Sequence, residues 1–559
     1  MNESERLERY FIQNSFGVNR KLKNIPEDSP VLVCHNGTFA GKEEEGICVF
    51  KGIPFACPPV GPLRWRAPKP APEDQGIYEA FYNGRSPIQT QCDSERASAY
   101  PQGEDCLYLN IWMAEPHSDK RTVMVFLHGG AFGWGGTADP LYNGFNFVKA
   151  HPEIVLITVG YRTGLLGFVD FSAVEGGENY PDAPNLGILD QIEALRWIRK
   201  NCEAFCGDPD NITVFGESAG GASVSLLPLI PSAKGLFRRV IAQSGSIALT
   251  FSKEQCQSFT KRLLSVSGAK NMTDLVELSE EQLSVLNEKL NDYNNFPQRD
   301  GKLIPKNLYA AYQNGDAADV DLLSGTNAQE SRYWIGEVGG IIPFRFSIPV
   351  KFENDVRLFS GKDRRRVIEY LKNRRGHSIW RISDFYTEMM FRLPAIFQVE
   401  ENAANGGRSF LYYWDIPSEK PFYQACHAVE LSYVFGNPEE TIYTGTPADQ
   451  QISSLVQQMW VNFAKYGDPS LESLEWPVYE KKERKTMIIS KQSHVEADPK
   501  SRSRRLLWPL LKYRINPSYA GLSLNTPFVR RTVSVGAAIA VGLIAGGVVL
   551  LLTHLGSDD

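Results

Sequence analysis

The stretch GDPDNITVFGESAGGASVSLL, from Gly207 to Leu227, joins two kinds of local structure across a glycine-flanked serine. Ile212 to Phe215 are β-branched and aromatic residues of the kind that fill a buried strand. The small residues from Ala219 onward open a helix. Between them Gly216, Glu217, Ser218, Ala219 and Gly220 spell G-x-S-x-G. A turn this sharp forces its central residue into a strained backbone, and small neighbours make room for it. Ser218 is then the tip, and the helix behind it aims N–H groups at developing negative charge. The plainer alternative is a glycine-rich turn with a capping serine, since G-x-S-x-G alone recurs by chance.

Working outward, TVMVFL (Thr122 to Leu127) and IVLITV (Ile154 to Val159) read as buried strands. Ile188 to Phe205 carries apolar residues at helical spacing. VIAQ, DLLSGT and FLYYW are further strand candidates, each followed by a turn or polar segment. The alternation predicts an α/β class, with a mostly parallel sheet flanked by helices. A prior of about 150 residues per domain would divide 559 residues into three or four. One large domain over 29–497 fits the alternation better. Gln255 to Tyr312 and Lys362 to Glu401 are helical in character and are expected to form cap segments around a site entrance.

A second glycine-rich element, LHGGAFGWGG, follows the Thr122–Leu127 strand about ninety residues before the elbow. A tetrahedral oxyanion needs preorganised N–H donors, and glycines let the backbone come close. Gly129 and Gly130 are the expected donors from this loop, with Ala219 the third. A flexible glycine loop is the alternative.

Seven stretches then recur in one order: FKGIPFACPPVGPLRWRAP, EDCLYLNIW, HGGAF, GDPDNITVFGESAGG, LFRRVIAQSGS, GTNAQES and HAVELSYVFG. Across about Val31 to Ser490 the chain resembles the type-B carboxylesterase family, which includes the cholinesterases. The resemblance implies the α/β-hydrolase fold and a serine hydrolase of carboxylic esters acting through an acyl-enzyme. It implies Glu330, in GTNAQE, as the acid and His427, in HAVE, as the base. The family usually places Asp or Asn before this Glu and Gly after it; Gln329 and Ser331 stand there instead. Glu217, Ser244 and Glu430 match a supporting polar shell, for which a purely structural buried network is the alternative. Cys92 and Cys106 match a family disulfide in position. The loop between them lacks the tryptophan on which a choline cation stacks in cholinesterases, so choline esters are not implied. Two other functions stay open: a membrane-tethered interaction protein of the same fold, and an amidase or thioesterase using the same residues.

Composition adds exclusions. A net charge of −6 on so large a chain gives no reason to expect nucleic-acid binding. Nine scattered cysteines do not indicate a disulfide scaffold. HAVE lacks the second histidine of a metalloprotease helix, and neither metal nor cofactor is expected. The expected partner is a small-molecule ester. Residues 1–28 are polar and lack the apolar core of a secretory signal. Residues 498–531 read as a basic connector and 554–559 as a short tail. Thr532 to Thr553 is uncharged and long enough for a transmembrane helix. With Arg530 and Arg531 before it, the expectation is a single-pass C-terminal anchor in membrane lipid, with the catalytic domain cytoplasmic.

Overall fold

The computed structural model describes residues 17–89, 101–115, 119–290, 295–372, 376, 378–513 and 515. Eleven strands form its main sheet: β1 Lys42–Glu44, β2 Ile47–Pro54, β3 Tyr108–Ala114, β4 Arg121–Leu127, β5 Ile154–Val159, β6 Gly207–Glu217, β7 Arg239–Gln243, β8 Asp321–Asn327, β9 Ser409–Trp414, β10 Lys485–Ile489 and β11 His494–Ala497. Their spatial order is β11-β10-β9-β8-β7-β6-β4-β5-β3-β2-β1. From β5 to β10 every pairing is parallel, and both margins are antiparallel. This is the mostly parallel sheet that the strand pattern predicts.

The flanking helices that bear on the site are α1 Leu186–Asn201, α2 Ala219–Leu226, α3 Lys253–Ser267, α4 Glu280–Lys289, α5 Ile341–Arg357, α6 Gly361–Lys372, α7 Ser378–Tyr386, α8 Leu393–Ala404 and α9 Gln450–Tyr466. Alternation along β4 divides the core. Val123, Val125 and Leu127 enter a cluster with Ile188, Ile192 and Leu195 of α1. Met124 and Phe126 enter another with Val456, Met459, Trp460 and Phe463 of α9. A strand buried on both faces carries no polar alternation, which is why TVMVFL is apolar throughout.

The winding reverses at β4, whose neighbours are β5 on one side and β6 on the other. Loops leaving the carboxyl ends of β4 and β6 then face one crevice, where open α/β sheets hold their ligands. The residues after β4 are His128 to Gly130, and the residue after β6 is Ser218.

One reading changes. The expected membrane-spanning C-terminal helix is not upheld: among the described residues no helix is long and apolar enough to cross a membrane. The 17-residue helices α5 and α9 reach about 26 Å at about 1.5 Å per residue, short of a hydrocarbon core of about 30 Å, and both carry charges. Residues 532–553 lie outside the described residues. The fold is therefore stated without a transmembrane element, and the single-pass anchor, the membrane-lipid contact and the cytoplasmic placement built on it are withdrawn. Part of the stretch read as a basic connector is described. Ser501–Leu507 is helical, Leu507 and Leu510 are buried, and Arg504 makes a two-pronged ion pair with Asp498 at 2.8 and 2.6 Å.

Candidate active site

Ser218 sits at φ 58°, ψ −117° between β6 and α2, in a region that side chains rarely adopt. Its N–H donates to Gln243 O on β7 at 2.9 Å, and its carbonyl accepts from Ala222 N at 2.8 Å. The glycines around it are obligatory. A Cβ on Gly220 would lie 1.8 Å from Leu127 O, and one on Gly216 would lie 2.6 Å from the Gly220 backbone. Strand end and helix start are thus pressed together, and the strain falls on Ser218.

The loop after β4 is equally constrained. Gly130 has φ 102°, and a Cβ there would meet Trp134 O at 2.2 Å. Among the described residues the N–H groups of Gly129, Gly130 and Ala219 find no acceptor. Gly129 and Gly130 line a cavity of about 230 Å³ together with Glu217, Ser218 and His427. Ala219 opens α2 directly behind the serine. His128 stacks on Tyr161 at 4.3 Å, and burial lowers its pKa to about 4, so it stays neutral.

His427 arrives from the segment after β9. Its Nδ1 lies 2.7 Å from Glu330 Oε2, and its backbone N–H donates to Glu330 O at 3.2 Å. Glu330 leaves the end of β8, where its Oε1 accepts from Asn327 N at 2.6 Å. Asn327 Nδ2 donates to Glu430 Oε2 at 2.6 Å, and Gln243 Nε2 donates to Glu430 Oε1 at 3.3 Å. One asparagine therefore ties two carboxylates into a buried network.

Glu217 approaches the other face of the imidazole. Its Oε1 is 3.2 Å from His427 Nε2 but is not aligned for a hydrogen bond. Ser218 Oγ makes no hydrogen bond among the described residues. Burial, then the charges of Glu430 and Glu330, push the Glu217 carboxyl well above its usual range, against the pull of His427. Burial also raises Glu430, helped by the Glu330 charge. Burial alone would lower His427, but the Glu217 charge and the Glu330 hydrogen bond outweigh it and raise the pKa to about 9. A proton on Glu217 removes its share, leaving Glu330 as the standing support of the imidazolium.

Of the residues singled out from sequence, Ser218, Glu330 and His427 converge here with Gly129, Gly130, Ala219, Glu217 and Glu430. Ser244 lies alongside, with φ 47° and a buried hydroxyl that has no partner. Cys92 lies outside the described residues. Among the described residues of the expected cap segments, α3 and α4 in one and α6 to α8 in the other, none lines the cavity, whose lining includes Trp134, Tyr333, Glu337, Lys420, Tyr423 and Tyr443. One cap residue does reach the site. Phe391, in a π-helical turn Thr387–Arg392, packs on His427 with ring centres 5.0 Å apart. Nothing in the TEMMFR sequence signals that contact, whereas Asn327 stands inside GTNAQES and was within reach of the motif.

Residues 28–506 match the model of the carboxylesterase family. The chain belongs to the carboxylesterase family. It is 34% identical over 509 residues to the para-nitrobenzyl esterase of Bacillus subtilis, covering 86% of this chain and 98% of that one. It is 32% identical to the bile salt-activated lipase of Bos taurus, over 80% of each chain. The carboxylesterase EST55 of Geobacillus stearothermophilus superposes with a TM-score of 0.77 at 32% identity, covering 85% of this chain and 99% of that one. A thermophilic para-nitrobenzyl esterase does so with a TM-score of 0.75, with the same identity and coverage. The esterase therefore has the α/β-hydrolase fold of carboxylesterases and acts as a carboxylic ester hydrolase.

Proposed function

We propose that the esterase cleaves its substrate through an acyl-enzyme on Ser218. His427 takes the serine proton as Oγ attacks the ester carbonyl, and Glu330 holds the imidazole and stabilises its charged form. The N–H groups of Gly129, Gly130 and Ala219 receive the oxyanion. His427 then gives its proton to the departing alcohol. Water activated by the same histidine releases the acid and restores Ser218. Glu217, Ser244 and Glu430 support the histidine and the acid.

The observation that carries this reading is convergence. A strained serine, an imidazole paired with a carboxylate at 2.7 Å, and unsatisfied glycine N–H groups open onto one cavity. Ser218 and His427 line the same cavity, and in unliganded sites the hydrogen bond between nucleophile and base is often long.

A fluorophosphonate probe should label Ser218 and no other residue. Ser218→Ala should lose the label and lower turnover of a simple acetate ester by about 10⁶-fold while the melting temperature holds. Undiminished turnover in that variant would overturn the assignment.

A further inference from the structure

We propose that Lys420 determines specificity, making the esterase favour esters whose non-reacting portion carries an anionic group, above all a carboxylate, over cationic ones. The inference rests on the reading that the cavity at Ser218 is where the ester binds. Lys420 is half-buried in the cavity wall. Its Nζ donates to Ile442 O at 2.9 Å and lies 5.0 Å from the centre of the Tyr423 ring. Among the described residues it has no carboxylate partner. An ammonium has three donors. One is committed, and the others are available to a ligand.

The side chain is held rather than loose. Lys420 N–H donates to Ser418 Oγ at 3.1 Å, and Ser418 Oγ donates to Tyr443 O at 2.6 Å. Glu419 N–H donates to Thr444 O at 2.8 Å. Gly445, at φ 79°, completes the clasp, and a Cβ there would meet Lys420 Cγ at 2.8 Å. Two loops are thus stitched together around the base of the lysine.

The surrounding groups decide the sign. An aromatic wall such as Tyr423 would attract a substrate cation, but the protein's own ammonium already stands over it. Apart from His427, Lys420 is the cation among the described residues that line the cavity. Among the described lining residues three carboxyls share the cavity. Glu217 sits against His427 with its carboxyl driven towards the neutral form by burial. Asp139 is turned to backbone, accepting from Leu141 N at 3.0 Å as the cap of a short helix. Glu337 keeps one oxygen buried. Glu217 and Asp139 are thus engaged by the protein, whereas the lysine retains donors.

The test uses three acetate esters that differ in one substituent on the phenol: 4-acetoxybenzoate, its neutral methyl ester, and the 4-trimethylammonium analogue. A second set places the charge on the acyl side, with phenyl hemisuccinate against phenyl butyrate. In at least one set kcat/KM should favour the anion over its uncharged or cationic counterpart by about tenfold, mainly through KM, the order expected of a half-buried charged contact. Lys420→Met should erase that ratio and leave the neutral ester within about twofold, whereas Lys420→Arg should preserve it. Equal rates for all charges in the parent, or a ratio unchanged in Lys420→Met, would overturn the proposal. Hydrolysis surviving in Ser218→Ala would instead overturn the assignment of the nucleophile, so the two failures are separable.

Discussion

The elbow and the mouth of the same cavity are built by opposite means. The elbow is one continuous stretch, Gly207 to Leu227, in which Gly216 lies against the backbone of Gly220 and of Leu127, and Gly220 against that of Leu127 and His128. The mouth is assembled from residues far apart in the chain, among them Trp134, Tyr333, Lys420 and Tyr443. At the elbow the backbone itself is at stake, so a single methyl group is excluded. At the mouth the residues contribute side chains, and exchanging one leaves the strand–turn–helix geometry in place. On the proposed mechanism chemistry and selectivity are therefore separable, and substitutions should fall into two classes.

The largest effect is expected from Gly220→Ala. A methyl placed 1.8 Å from Leu127 O cannot be accommodated without separating β4 from α2. The variant should lose more than about 3 kcal/mol of stability and all probe labelling. A stable, labelled Gly220→Ala would show the elbow to be less rigid than its mouth. Next comes Glu330→Gln, which keeps the shape but not the charge that supports the imidazolium. Its kcat should fall by about 10⁴-fold with the melting temperature nearly unchanged. Parent-like activity would point to another carboxylate as the acid.

The smallest effect lies in the pH profile. His427 must be neutral to accept the serine proton, and its pKa is raised by nearby carboxylates. The rate should therefore rise with pH, with its midpoint above the ordinary imidazole value of about 6.5. Glu217→Gln removes one source of negative charge beside Nε2 and should move that midpoint to lower pH. A midpoint that stays in place would mean that Glu217 already carries a proton throughout the working range. Either result separates the influence of Glu217 from that of Glu330.

The strand pattern reads well where burial is two-sided. The apolar runs Thr122–Leu127 and Ile154–Val159 became β4 and β5 almost to the residue. The helix read from Ile188 to Phe205 formed as α1 and then tightened into a 3₁₀ turn at Cys202–Phe205. The described parts of the cap segments are largely helical, as their composition suggests. None of their described residues lines the cavity, because helical periodicity reports that a face is buried and not against what. The C-terminal apolar run marks the same limit: hydropathy alone does not establish a span.

The sequence by itself determined the elbow, the glycine loop and the residues that match the family's triad. The elbow and the glycine loop depend on local steric demands, which leave a mark in consecutive residues, whereas Glu330 and His427 are implied by the resemblance to the family. Only the tertiary structure decided that Phe391 rests on His427, that Asn327 joins Glu330 to Glu430, and that Glu217 stands 3.2 Å from the imidazole. The same holds for Lys420 over Tyr423 in the cavity wall. Such contacts join residues far apart in the chain, or set the aim of a side chain that the backbone pattern leaves free. Their energies depend on burial and distance, which the order of residues does not carry.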